Sequence, residues 1–399
     1  MAPGGRQGLG GRIAAARKLR RMTQAQLAEV AAISVSLLRK IEQGSRPVTP
    51  EVWSSITRTL GLETATADEA GSTGSRVRVA IPHIRCALDC YDLPDDGPVL
   101  PLTTLHAATE RATVRRLAAH YASLVDGLPR LITELTRAAH SYTGRDQETT
   151  FGLLALAYRA ADALCDKFGY LDLSARTIDL MRWAAGRSGD SLLVGVAAYV
   201  RAEIFFSSQR PIAGLRALES ASEPLAAEGS REALAICGSL HMRAGVLAAR
   251  AGLPEVAASH LAEARGISRY VPDAAYRGTA FGPSSVRIHE IAAAAEMGDC
   301  KSVLREAAGW LPPPAVPAER RSHYFIEMAR VQLWAGLRND ALASLCSARQ
   351  IAPQHTRHNP CVRGTARTLI RLERHPSDAL LGFARWAGIG NEHLATLLH

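Results

Sequence analysis

Lysine is nearly absent from this chain: of 47 basic residues only Lys18, Lys40, Lys167 and Lys301 are lysine, and the other 43 are arginine. Such a bias points to a GC-rich genome rather than to a particular chemistry. Aromatic residues make up only 5% of the 399, so an apolar content of 47% must fill its cores with small and aliphatic side chains. No stretch of about 18 consecutive apolar residues occurs, which excludes a helical membrane span. The N-terminal MAPGGRQGLGG also lacks the apolar centre of a signal peptide, so the expected compartment is the cytoplasm, with no membrane partner.

Other absences narrow the chemistry. Seven cysteines (Cys86, Cys90, Cys165, Cys237, Cys300, Cys346, Cys361) include no C-x-x-C, which suits free thiols in a reducing compartment. Cys86 and Cys90 stand one helical turn apart, but no His or Cys cluster supplies further ligands, and neither a metal nor another cofactor is expected. Nucleophile elbow, P-loop, H-E-x-x-H and dinucleotide fingerprint are all missing, and the 13 histidines show no metal spacing. The expectation is therefore a protein that is not an enzyme. Alternating β-branched runs are scarce and Ala and Leu abundant, so the fold class is all-α.

What is present is charge in one place. Residues 1–62 hold ten basic side chains against three acidic ones, which puts +7 of the formal +9 in less than a sixth of the chain. A basic head on a near-neutral body is the distribution that phosphate-backbone binding requires. Within this head, Thr23 to Gly44 reads as two short helices joined by a tight turn. Thr23 and Gln26 have capping-box spacing, with Leu27, Ala28 and Ala31 on one face. Ser34 caps the second helix, Leu37, Leu38 and Ile41 point inward, and Gly44 ends it. Val35, Ser36, Arg39 and Lys40 are left on or near the outer face, the pattern of a helix-turn-helix with a short basic recognition helix.

These residues carry a resemblance. From about Leu9 to Leu62 the chain resembles the Xre/Cro family of DNA-binding domains, through Thr23-Gln24, Leu27-Ala28 and Ile41-Glu42-Gln43-Gly44 in order and at that family's spacing. The resemblance implies a lambda-repressor-like fold, a phosphate contact from Gln24, and base contacts from Val35, Ser36 and Lys40. It also implies a structural ion pair between Arg17 and Glu42. An apolar Val35 departs from the polar residues common there and would pack on a thymine methyl. Arg39 and the Ser45-Arg46-Pro47 turn, with Arg46, add phosphate-facing positive charge. Thr49-Pro50-Glu51 opens a further helix whose Val52, Trp53, Ile56 and Leu60 close the small core.

Beyond the head, residues 63–75 (ETATADEAGSTGS) have linker composition. Residues 76–148 read as connecting or dimerising helices: Val77 to Asp92 with periodicity broken at Pro82, then Thr103 to Asp126 and Leu128 to Thr143. Residues 149–399 read as a helical-repeat domain. Ala184, Ala221, Ala264, Ala307 and Ala348 recur at separations of 37, 43, 43 and 41 residues, as stacked helix pairs would place them. The units around Gly245, Ala248, Gly252, Ala257, Leu261 and Ala264, and around Ala329, Gly336, Ala341, Leu345 and Ala348, resemble tetratricopeptide repeats.

In such repeats the first helix of each pair lines a concave face, which here implies Tyr199, Glu203, Phe206, Met242, Arg250, His289, His323, Arg330 and Trp334 as effector-binding candidates. That mixture suits a peptide or an amphipathic small molecule. The loop Phe281-Gly282-Pro283-Ser284-Ser285 is a second, weaker candidate, as a helix N-terminus open to a carboxylate. The whole architecture resembles the peptide-sensing regulators of Gram-positive bacteria and, more closely, actinobacterial Xre-family regulators. The function this implies is transcription regulation: a homodimer binds double-stranded DNA at a pseudo-palindromic operator, on the nucleoid when bound, and an effector in the groove shifts the spacing of its two heads. The alternative is a regulator whose repeats dock a protein partner with no diffusible ligand.

Overall fold

Thr23 opens α1 (Gln24–Val30) with both halves of the capping box in place: its hydroxyl accepts from Gln26 N at 3.2 Å, and Gln26 Oε1 accepts from Thr23 N at 2.8 Å. Ser34 caps α2 (Val35–Glu42) with its side chain alone, its Oγ accepting from Leu37 N at 3.1 Å. After α2 the chain reverses through Gly44 at φ +72, a left-handed conformation that glycine enters without strain, and Ser45 N returns to Lys40 O at 2.9 Å. Leu38 and Ile41 are buried against Ile13, Leu27, Ala28, Ala31 and Ile56, with Leu37 and Val52 half-buried beside them. This computed structural model describes residues 73–390 without interruption and, before them, residues 13, 14, 17, 18, 22–31, 33–45, 52 and 56. Arg46, the helix start at Pro50 and most of the linker lie outside the described residues.

The chain divides into two compact units, Met1–Ser75 and Arg76–His399. The second opens within α3 (Thr73–Asp89), so the last three residues read as linker are helical. α3 also runs through Pro82 instead of breaking there, because Val77, Ile81, Ile84 and Leu88 bury one continuous apolar face that outweighs one missing donor. The helix expected over 103–126 divides in two, α4 (Leu102–Leu117) and α5 (Tyr121–Val125). Ala119 takes a positive φ of 56 between them, and Tyr121, Leu124 and Val125 turn into the core. α6 (Leu128–Ser141) follows.

Helix pairs then stack in sequence. They are α7 (Gly144–Lys167) with α8 (Leu171–Ala185), α9 (Ser191–Ser207) with α10 (Pro211–Ala226), and α11 (Arg231–Arg250) with α12 (Pro254–Ser268). After an insertion come α13 (Pro283–Glu296) with α14 (Cys300–Ala307) and α15 (Ala318–Trp334) with α16 (Arg338–Ile351). α17 (Pro353–His358), α18 (Pro360–Leu372) and α19 (Asp378–Trp386) end the stack. The five alanines at repeat spacing all fall on the second helix of a pair. Close approach within pairs needs small residues: a Cβ on Gly245 would stand 2.8 Å from Leu261 Cγ. The architecture is thus all-α, a helix-turn-helix followed by a helical-repeat solenoid.

The insertion is the one β element among the described residues. β1 (Ala274–Tyr276) pairs antiparallel with β2 (Thr279–Phe281) around a two-residue turn, Arg277-Gly278, both at positive φ. Phe281 is fully buried over Gly238, where an added Cβ would meet the ring at 2.2 Å. At its other end the hairpin accepts hydrogen bonds from Arg116 of α4, through Gly278 O, and from Arg159 of α7, through Arg277 O and Thr279 Oγ1. It therefore ties three distant stretches of the body together.

Candidate DNA-binding helix and repeat groove

In the first unit the geometry centres on Glu42. Arg17 donates to it through Nε at 2.8 Å and a terminal nitrogen at 3.0 Å, and Gln24 Nε2 donates at 2.7 Å. Arg17 also donates to Met22 O at 2.8 Å. Burial by itself would raise the Glu42 carboxyl, but the hydrogen bonds from Arg17 and Gln24 outweigh it and hold the group below the usual carboxylate range. The expected Arg17–Glu42 pair is therefore present, and Gln24 joins it. One N–H of the Gln24 amide is committed to Glu42, and the second is its remaining donor.

α2 presents the remaining described candidates to solvent. Val35, Ser36, Arg39 and Lys40 are exposed while Leu38 and Ile41 hold the helix from below. Four side chains on one face, two of them cationic, can read base edges or phosphates without disturbing the packing that positions them.

In the second unit the first helices of successive pairs line a groove of about 640 Å³. Of the nine concave-face candidates, Glu203, Phe206, Arg250, His289, His323 and Arg330 line it, and Tyr199 lines a narrower pocket of about 110 Å³ that shares Glu203 and His323 with it. Met242 does not: it is fully buried in the core, and its neighbour Arg243 faces the groove instead. The spacing carried the clue, because Arg243 and Arg250 stand seven residues apart and share a helical face, whereas Met242 is one position out of register. Trp334 is also outside the groove. It lies a turn beyond Arg330, 54% exposed, with the Arg330 guanidinium over its ring at 4.9 Å.

The groove is held by charge and aromatic contacts. Arg243 pairs with Glu203 at 2.8 Å and lies over Tyr199 at 4.7 Å. Arg250 bonds both oxygens of Glu296, at 2.9 and 3.1 Å, and covers Phe206 at 4.9 Å. Arg320, missed in the sequence, links two candidates: it donates to Tyr199 Oη at 2.8 Å and to His289 Nε2 at 3.3 Å. His289 Nδ1 in turn donates to Ser285 O at 2.8 Å, which assigns its proton. Burial, then Arg320, holds His289 well below the ordinary histidine pKa. Burial and His355 do the same for His323.

The helix start at Pro283 is not open. Asp273 already sits on it, accepting from Ser284 N at 3.0 and 3.3 Å. Cys86 lies on α3 and Cys90 just past its end, and among the described residues no group of three metal-ligating side chains occurs. No described helix is long and apolar enough to cross a membrane.

The fold and these sites define a class, a DNA-binding regulator with an N-terminal helix-turn-helix domain and a helical-repeat body. Residues 9–70 match the family model of the helix-turn-helix domain. No curated protein is significantly similar to the chain. Among solved structures, PlcR of Bacillus thuringiensis, in complex with the peptide PapR7 and DNA, is similar over 66% of this chain and 95% of its own, at 16% identity and a TM-score of 0.31.

Proposed function

We propose that this protein is a transcription regulator that binds a pseudo-palindromic operator as a homodimer in the cytoplasm and responds to an effector held in the groove of its repeat domain. The observation that carries the DNA half is the division of α2, with Leu38 and Ile41 locked in the core and Val35, Ser36, Arg39 and Lys40 free to contact DNA. Gln24 and Arg46 supply phosphate contacts on this reading. The effector half is supported by the groove itself: at about 640 Å³, with apolar walls from Phe206, Val246 and Ile288 and convergent charged groups, it matches a small-molecule or short-peptide site better than a flat docking face. It is a binding site, not a catalytic one, on this reading. The effector acts by favouring one of two spacings between paired heads.

The test is selection of bound DNA from a random pool by full-length protein at fixed salt, followed by sequencing. An inverted repeat with half-sites about one helical turn apart is the expected result. Retention of all sequences alike would overturn operator recognition.

A further inference from the structure

The narrow pocket adjoining the groove holds more positive charge than its acids neutralise. Three pairs account for most of the ionised groups around it: Lys167 with Asp166 at 2.9 Å, Arg243 with Glu203 at 2.8 Å, and Arg116 with Glu319 at 3.9 Å. Two guanidinium groups remain. Arg159, 6% exposed, has only the hairpin's Arg277 O and Thr279 Oγ1 as acceptors, and Arg320 has only Tyr199 Oη and His289 Nε2. Among the described residues neither has a carboxylate within salt-bridge distance. The fourth acid, Asp162, does not offset them. It is buried, bonded by Ser174 Oγ at 2.6 Å, and pushed well above the usual carboxyl range by burial and by Glu203.

A buried cation without a counter-ion is costly, and folded proteins keep one mainly where something else completes it. Two further atoms point the same way. Arg243 Nε and His355 Nε2 are buried without a hydrogen-bond partner, and both residues line this pocket. His355 is 2% exposed and is anchored from behind by Tyr121 Oη on Nδ1 at 3.1 Å, so its free nitrogen is fixed in place. At about 110 Å³ the pocket has room for one small group, and it shares Arg243, Arg320 and His323 with the wider groove, whose walls are more apolar.

We infer that the effector carries an anionic head, a carboxylate or a phosphate, seated between Arg159 and Arg320, with an apolar body lying along Phe206, Val246 and Ile288. This rests on the reading of the groove as an effector site and specifies its chemistry.

Isothermal titration of the full-length protein in low-chloride buffer tests it, with octanoate, octanamide and inorganic phosphate as probes. Saturable octanoate binding is expected, with octanamide, the same body without the charge, at least about tenfold weaker. Phosphate that competes with octanoate assigns recognition to the anionic head in general, and phosphate that does not bind assigns it to a carboxylate. Arg320→Gln and, separately, Arg159→Gln should each weaken octanoate at least about tenfold, while Arg320→Lys, which keeps the charge, retains most of the affinity. No saturable binding of either anion, equal binding of octanamide, or unchanged octanoate affinity in both glutamine variants would overturn the inference. Because the titration contains no DNA, its failure leaves operator recognition standing. That reading fails only in the DNA selection.

Discussion

The two units of this chain handle buried charge in opposite ways. In the first, one acid is buried and everything around it is satisfied: Glu42 takes three hydrogen bonds from Arg17 and Gln24, and the other described cations, Lys18, Arg39 and Lys40, are exposed. In the second, cations and acids from α4, α7, α9, α11 and α15 converge on an interior pocket where the pairing does not close. A complete network fixes a small core, whereas an incomplete one leaves charge that a bound counter-ion would complete.

The sharpest way to break this comparison is to damage the complete network. Glu42→Ala would leave Arg17 buried without a counter-charge, with only Met22 O as acceptor, and Gln24 without its acceptor, at a cost of about 3 to 5 kcal/mol. Only seven apolar residues form the core described around it, so the first unit is expected to unfold while the body does not. Hydrogen exchange resolved by peptide would show protection lost from α1 and α2 alone. Unchanged protection there would mean that the pair is not what holds the helix-turn-helix together.

Acid separates the units from the other direction. Burial and the neighbouring Lys167 push His355 down to about 4, and burial with Arg357 and Arg363 pushes His358 to about 4, against an unfolded value of about 6.5. Between those values the unfolded chain binds protons that the folded chain refuses, so stability falls as pH drops, by roughly 1.4 kcal/mol per pH unit for each such histidine. His289 and His323 add to the slope. Glu42 behaves differently. Its folded pKa is depressed, so its contribution is complete above the unfolded carboxylate value of about 4.3 and is lost only as pH falls through the lower folded value. Protection of α15 and α17 should therefore decline between about pH 7 and about pH 5 while that of α1 and α2 holds. The reverse order would show that the buried histidines are not neutral.

A smaller effect tests what shapes the body's groove. Gly238→Ala would drive a methyl group into the Phe281 ring and should cost about 1 to 3 kcal/mol by overpacking. The hairpin would be displaced with it, and since Arg159 and Arg116 bond to that hairpin, octanoate binding should weaken as well. Stability lost with anion affinity intact would separate the hairpin from the pocket.

Legibility in the sequence divided along the same line. The capping box, the Ser34 cap and the alanine spacing follow from local rules, the Arg17–Glu42 pair is what the family resemblance implies, and the structure contains each of them. The pocket does not follow from such rules, because Arg116, Arg159, Arg243 and Arg320 come from four helices up to 204 residues apart. In a chain with 43 arginines nothing local marks these four. The hairpin was missed because three-residue strands show too little alternation, although Arg277-Gly278 is a plausible two-residue turn. Pro82 and Ala119 went the other way. Burial of a whole helix face overrode the proline, and three buried side chains on α5 imposed a break where propensity favoured continuity.

The mildest change to the fold is expected at a proposed base-contacting residue. Lys40 is exposed on α2, so Lys40→Ala should alter stability by less than about 0.5 kcal/mol. On the selected operator it should nevertheless cost about 1 to 3 kcal/mol and relax preference at one base position. Gln24→Ala supplies the contrast. It removes a hydrogen bond to Glu42 as well as the proposed phosphate contact, so it should weaken operator and random DNA alike and lower the stability of the first unit. Measured together by salt-matched binding and exchange protection, the two variants separate a residue that reads DNA from one that both supports the reader and positions it. Equal losses on operator and random DNA for Lys40→Ala would move base recognition off that side chain, leaving Ser36 and Val35 as the exposed positions at the start of the same helix.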